Sequence, residues 1–341
     1  MSPKRIGINT LFMIPNGVGG TEQHLRAALS SLEKQDKINR YVVFCNNENF
    51  DTFQFTNPLW KKVRCPIRAT SRPIRILFEQ LILPFLVKKE KCSSLHSFGY
   101  FGPLVCPCKH IITIHDCNWR DCPEDFSFIE RTMLSVLIEF NLKNAHHIIT
   151  DSEFSKTRLL HHFPFIKKRL TVASPVLSTE FLYESKKKHV HPFHNKKYLL
   201  CVSALHPHKK IPYLLDLWEK IEEQDKRLYL VLIGRHGKDE SKVRQRIRQL
   251  PRVYYKPNVS LHQLVSFYKY SKAFIFPSIY EGFGYPVYEA VHVGKTVFVG
   301  KKELYVKAIQ RNVQELSFDP SQDATLIVSK MNDEKMNKKL I

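Results

Sequence analysis

The chain alternates short apolar strands with amphipathic helices, in two separate runs. This pattern constrains the fold more than any other feature, because repeated strand–helix pairs build a parallel sheet covered on both faces. In the first run, the β-prone stretch Arg5 to Ile14 leads into a glycine-rich turn, NGVGGT, at residues 16–21. Glu22 to Leu32 follows, with Leu25, Ala28, Leu29 and Leu32 at helical spacing. Strand, glycine loop and helix in that order open a doubly wound domain. Tyr41 to Cys45, His110 to His115 and Ala145 to Thr150 read as further strands, and Glu130 to Leu142 as a helix. The stretch 184–197, ESKKKHVHPFHNKK, is polar, basic and aperiodic, as a linker is. A second run then begins, with strands at Tyr198 to Ser203, Leu228 to Gly234, Ala273 to Pro277 and Thr296 to Val299. Its helices are Ile211 to Glu222, Ser241 to Leu250, Leu261 to Tyr270 and Gly284 to Val293. The expectation is an α/β chain with an N-terminal domain over 1–185, a linker over 186–197 and a C-terminal domain over 198–341. A length of 341 residues suits two such cores.

Charge speaks about partners rather than fold. Lys plus Arg is 53 against 32 for Asp plus Glu, a formal balance of +21. That balance suits nucleic acid, an anionic membrane surface or a phosphate-bearing substrate. A uniformly basic surface gives the same count with no partner at all. No helix-turn-helix, zinc-finger or RNA-recognition signature is present, so nucleic acid is not expected. Between Lys61 and Lys91 stand nine basic and two acidic residues, interleaved with Ile74, Leu77, Leu81, Phe85 and other apolar side chains. Such an element either lies on an anionic leaflet or is a buried helix with charged flanks. The start, MSPKRIGINTLFMI, reads as a first strand rather than a signal peptide, and no run of eighteen apolar residues exists. The expected location is therefore cytoplasmic, peripheral on the inner face of the cytoplasmic membrane, where the eight cysteines stay as thiols. Cys106, Cys108, Cys117 and Cys122 fit no strong zinc spacing.

The segment SIYEGFGYPVYEAVHVGKTV, residues 278–297, carries the most chemistry. A strand ends before it, and a loop with Glu281, Gly282, Phe283 and Gly284 leads into a helix with Pro286 in its first turn. Glycines let backbone N–H groups approach a ligand, and a helix N-terminus favours phosphate. Glu289, further along the helix, can accept hydrogen bonds from sugar or ribose hydroxyls.

Glu281 and Glu289, with seven residues between them, together with the intervening Gly-Phe-Gly, resemble the E-x7-E region of retaining GT-B glycosyltransferases of the group 1 or family 4 class. Three further segments resemble the same family in the right order: the Gly17 to Glu22 loop, the strand end Thr113 to Asp116, and AHHIITDSEFSK at 145–156. The resemblance implies two Rossmann-like domains facing each other across a cleft. It implies that Glu281 and His115 serve catalysis beside the donor sugar. It places Gly19 and Gly20 over the donor phosphates and acceptor, Gly282, Phe283 and Gly284 near sugar and diphosphate, and Glu289 on the nucleotide ribose. The loop Ser203 to Lys210 supplies the family's basic pair, and here His208 stands where arginine is frequent, with Lys209 following. A lysine neutralises a diphosphate as a point charge, without arginine's bidentate fork.

The activity so implied moves a hexose, mannose among the candidates, from a nucleotide-diphosphate sugar to a glycan or lipid-linked acceptor, with retention. The implied chemistry is a front-face transfer in which the donor's own phosphate helps to deprotonate the acceptor. No Asp-x-Asp motif is placed to hold a metal on the diphosphate, so no cofactor and no metal ligand are expected. Two alternatives remain open at this point, a nucleotide-sugar epimerase of the same fold and an inactive, basic nucleic-acid-binding paralogue. About twenty residues follow Phe318 to Pro320, where the family continues through two or more helices, so a crossing helix back to the N-terminal domain is not expected.

Overall fold

A computed structural model describes residues 3–15 and 17–337. Asn16 of the glycine turn and the last four residues lie outside the described residues. The chain divides into two compact units, the first comprising Met1–Asp121 and Phe126–Ser178, the second Cys122–Asp125 and Thr179–Ile341.

The first unit holds β1 (Arg5–Asn9), β2 (Arg40–Cys45), β3 (Trp60–Arg64), β4 (Ser94–Ser97), β5 (Lys109–Thr113), β6 (His147–Thr150) and β7 (Leu170–Val172). They form one sheet in the order β3-β2-β1-β4-β5-β6-β7. Every pairing is parallel, with Ile8 opposite Val43 on one side and His96 on the other. The order reverses between β1 and β4, and the crevice at the carboxyl ends beside such a switch point is where doubly wound sheets bind ligands. A buried polar clamp holds the loop after β1. Asn46 Nδ2 donates to the carbonyls of Leu11 and Met13, Asn49 Nδ2 to that of Thr10, and Thr10 Oγ1 to that of Phe44.

The second unit holds β8 (Lys197–Val202), β9 (Leu228–Ile233), β10 (Val253–Lys256), β11 (Ala273–Phe276), β12 (Val297–Val299) and β13 (Val313–Glu315). Their order is β10-β9-β8-β11-β12-β13, again parallel throughout, with the switch between β8 and β11. The helix Ile211–Gln224 lays Leu214, Leu215, Trp218 and Ile221 on Leu199, Cys201, Leu230 and Leu232 of the sheet. Each such fully buried side chain contributes about 1.5–3 kcal/mol. The helix Pro320–Asn337 packs on the same helix.

The linker stretch is less bare than its composition suggests. Its first residues complete a helix, Thr179–Lys186, that packs on the helix Leu261–Tyr270 in the second unit, where Phe181 is buried with its ring 6.2 Å from that of Tyr268. The break between units therefore falls at Ser178, because that aromatic contact ties the helix to the second core. Among the described residues no helix is long and apolar enough to cross a membrane.

Candidate functional site

In the second unit the two loops that flank the switch point carry the residues singled out above. The loop after β8 brings Lys209, and the loop after β11 brings Glu281. Lys209 Nζ lies 2.5 Å from Glu281 Oε1, both side chains mostly buried. The Ile279 N–H donates to the His208 carbonyl at 3.0 Å and stitches the two loops together. Lys209 also stands over the Phe276 ring, 5.4 Å from its centroid. A charge-assisted bond of this kind is strong where water is scarce, yet either partner can be drawn off by a competing charge.

His208 takes a different partner. Its Nδ1 bonds the Asp125 carboxylate, which also receives the His208 backbone N–H at 3.4 Å. Burial works to raise the Asp125 pKa, but its bonds to His208 win and hold the carboxyl below its ordinary range. Asp125 belongs to the short segment Cys122–Asp125 that clusters with the second unit, and nothing in the local sequence announces that pairing.

Gly284 precedes the helix Tyr285–His292 with φ +82°, and a Cβ there would come 2.7 Å from the Tyr305 ring. Both facts require glycine. Glu289 is buried one turn into that helix, where the Tyr268 hydroxyl donates to its Oε2 at 2.8 Å. Burial, and then the Glu289 charge, push the Tyr268 phenol far up, so it stays a donor. Phe283 stacks on Tyr288 at 4.1 Å, which fixes the loop rather than exposing the ring.

Three buried polar atoms around these loops have no hydrogen-bond partner among the described residues: His206 Nδ1, Arg235 Nη1 and the Tyr305 hydroxyl. Buried polar groups are normally satisfied, and leaving one unpaired costs about 1–3 kcal/mol. Atoms of this kind beside a basic loop suit a polar ligand. Arg235 and Tyr305 escape motif reading because they sit on connections after β9 and β12 that carry no signature of their own. Gly234, just before Arg235, permits the approach, since a Cβ there would lie 1.6 Å from the Ser203 carbonyl oxygen.

In the first unit, Gly19 has φ +61° and caps the helix Gly20–Gln35. His115 follows β5, and its backbone carbonyl accepts from Ser155 Oγ at 2.9 Å. Its ring is fully engaged within the unit. Nδ1 lies 2.9 Å from Asp151 Oδ2, and Nε2 lies 2.8 Å from the Phe98 carbonyl. Both partners are acceptors, so together they favour the doubly protonated ring. Burial opposes that charge, but Asp151 outweighs it and raises the His115 pKa, while the Asp151 carboxyl is held down at about 2. His115 can therefore turn its Nε2 to a ligand only by releasing the Phe98 carbonyl.

A cavity of about 250 Å³ in the same unit is lined by Phe12, Val18, Arg72, Arg75, Tyr100 and Trp119, among others. Arg75 Nε is buried there with no partner among the described residues. No cysteine joins a metal-competent group among the described residues, and all eight are free.

Comparison with known proteins assigns the family. The model of glycosyltransferase family 4 matches residues 18–181, and that of glycosyl transferases group 1 matches residues 183–341. The chain belongs to the group 1 glycosyltransferases. Two curated relatives are O-antigen chain mannosyltransferase B of Escherichia coli, 24% identical over 55% of this chain, and O-antigen chain mannosyltransferase RfbU of Salmonella typhimurium, 27% identical over 64%. The matches span 51% and 58% of those relatives' own lengths.

Solved structures share the GT-B fold of this glycosyltransferase. HepE of Anabaena, crystallised with UDP and glucose, aligns with a TM-score of 0.70 at 16% identity, covering 97% of this chain and 91% of its own. WaaG, a glycosyltransferase involved in lipopolysaccharide biosynthesis, aligns at 0.67 and 11% identity, covering 96% and 90%. UDP-GlcNAc 2-epimerase of Methanocaldococcus jannaschii aligns at 0.56 and 10% identity, covering 96% and 92%. Transferases and an epimerase thus share this architecture, and the fold alone does not choose between them.

Proposed function

We propose that this glycosyltransferase moves a hexose, mannose first among the candidates, from a nucleoside-diphosphate sugar to a glycan or lipid-linked acceptor with retention of configuration. The observation that carries the reading is the Lys209–Glu281 pair, held by the two loops at the switch point of the second unit. On donor binding, Lys209 leaves Glu281 for the diphosphate and frees the carboxylate to hold a sugar hydroxyl. Gly282, Phe283 and Gly284 offer backbone N–H groups, and Glu289, oriented by Tyr268, takes the ribose. His115 contacts the sugar from the first unit, exchanging the Phe98 carbonyl for a sugar hydroxyl, while Gly19 and Gly20 close over the phosphates. As the anomeric bond breaks, negative charge grows on the diphosphate, and preorganised donors there lower the barrier. The donor's own phosphate accepts the acceptor's proton, so no covalent sugar–enzyme intermediate forms.

A nucleotide-sugar panel read by thermal shift tests the donor, since stabilisation grows with affinity. The linkage formed is then read by NMR, and an inverted anomeric product rejects retention. The chemistry needs no metal on the diphosphate, so omitting magnesium leaves turnover unchanged. Activity lost in EDTA and restored by magnesium would reject this. Formation of an epimer with no acceptor consumed would favour the epimerase reading.

The O-antigen relatives and the first unit's surface favour a lipid-linked acceptor at a membrane face. The helix Arg72–Leu81 turns Arg75 and Glu79 inward and leaves Ile74, Leu77 and Leu81 more than half exposed. The helix Phe128–Asn144 likewise exposes Phe128, Ile129 and Val136. Apolar side chains outside and charges within invert the usual pattern and suit an apolar medium with anionic headgroups. The cavity with Arg72 and Arg75 fits an amphiphile bearing a phosphate.

A further inference from the structure

We propose that His24, His115 and Asp151 form a zinc site in the first unit. The three side chains come from separate places: the helix Gly20–Gln35, the end of β5 and the end of β6. The two ring nitrogens and the two oxygens of the carboxylate close into one compact cluster. His115 Nδ1 to Asp151 Oδ2 is 2.9 Å, His24 Nδ1 to Asp151 Oδ1 is 3.2 Å, and the two Nδ1 atoms are 3.4 Å apart. Zinc bonds nitrogen and oxygen at about 2.0–2.2 Å in a tetrahedron, which spaces its ligands by about 3.3–3.6 Å. The two Nδ1 atoms already stand at that spacing, and the carboxylate bridging them supplies the third ligand by turning one oxygen toward the ion.

Several features point the same way. All three residues are buried. Asp151 Oδ1 has no aligned hydrogen bond, although it stands at ion-pair distance from His24. The imidazoles do not stack; their planes meet at 74°, so that both Nδ1 atoms point inward. His115 meanwhile keeps its Nε2 on the Phe98 carbonyl, the outer bond by which metal-binding histidines are commonly oriented. A metal on Nδ1 leaves that bond in place. Two nitrogens and one oxygen suit zinc or another late first-row ion and not magnesium, which demands an oxygen octahedron. The site is thus separate from any metal on the donor diphosphate, and it is read from metal content, without reference to sugar transfer.

The experiment uses the full chain without a polyhistidine tag, purified in the absence of chelators. Elemental analysis is expected to find stoichiometric zinc. Apoprotein titrated with CoCl2 should develop the visible bands of tetrahedral cobalt, and ZnCl2 should bleach them and raise the melting temperature. His24→Gln and Asp151→Asn should each weaken zinc by more than about a hundredfold, beyond the usual loss from outer-shell changes. His262→Ala, in the separate Glu184–His189–His262 cluster, should bind as the parent does. The proposal is overturned if the parent carries no metal and shows no cobalt spectrum. The triad is then a carboxylate between two imidazole N–H donors and nothing more. It is equally overturned if both triad variants bind normally, or if His262→Ala alone abolishes binding. Circular dichroism checks each variant, and should either unfold, the parent's cobalt spectrum decides.

Discussion

The two units repeat one architecture but spend their buried charge differently. In the second unit, Lys209 and Glu281 meet as a pair on two loops, near buried polar atoms that have no hydrogen-bond partner among the described residues. In the first unit, His115 is bound at both ring nitrogens, and Asp151 anchors it from behind. The contrast teaches that the same strand-end position can hold a pair ready to be exchanged for a ligand, or a side chain held from behind that must give up one bond before it acts. Pairs of the first sort provide binding energy, and arrangements of the second sort provide orientation.

The comparison can be broken by mutation. Lys209→Ala should cost the most, about 10²–10³ in kcat, the scale of losing one preorganised donor to developing charge. Far-UV circular dichroism should remain that of the parent, and turnover within a factor of about two would remove the switch-point site. Glu281→Gln should fall in the same range with donor binding kept. His115→Gln comes next, at about tenfold to a hundredfold, at or below the low end of the range for a group that transfers a proton, because this one orients the sugar instead. A drop larger than that of Lys209→Ala would reverse the ranking of the two units.

Tyr268→Phe sharpens the comparison by removing the bond that aims Glu289. Donor KM should rise by about tenfold, a bond to a charged group, with kcat little changed. An unchanged KM would detach Glu289 from the ribose. Asp125→Asn tests the smallest effect. The Asp125 pKa is depressed in the folded chain, so its contribution is present above the ordinary carboxylate range and is lost as pH falls through the lower folded value. The variant should melt below the parent at neutral pH, and the gap should close in acid, below the ordinary carboxylate range. A gap that persists in acid would assign the loss to packing. On the first unit's surface, Leu77→Asp should leave melting unchanged within about 0.5 kcal/mol while reducing binding to anionic vesicles. Equal vesicle binding would remove the membrane face.

Much of the fold is legible because period and punctuation are local. The helix Leu261–Tyr270 lies where its pattern places it, framed by Ser260 and Gln263 in a reciprocal cap. Strands β3 and β10 are not legible, since Trp60–Arg64 and Val253–Lys256 are edge strands with several polar or half-exposed residues and no clean alternation. The sequence by itself determined the family and the E-x7-E loop, because a glycine turn, a helix start and two glutamates at fixed spacing are contiguous. Only the tertiary structure decided that Asp125 meets His208, that Tyr305 rests on Gly284, and that His24, His115 and Asp151 share one point. Those contacts join residues separated by 21 to 127 positions through parallel crossovers, and no local propensity encodes a distance that only the packed sheet imposes.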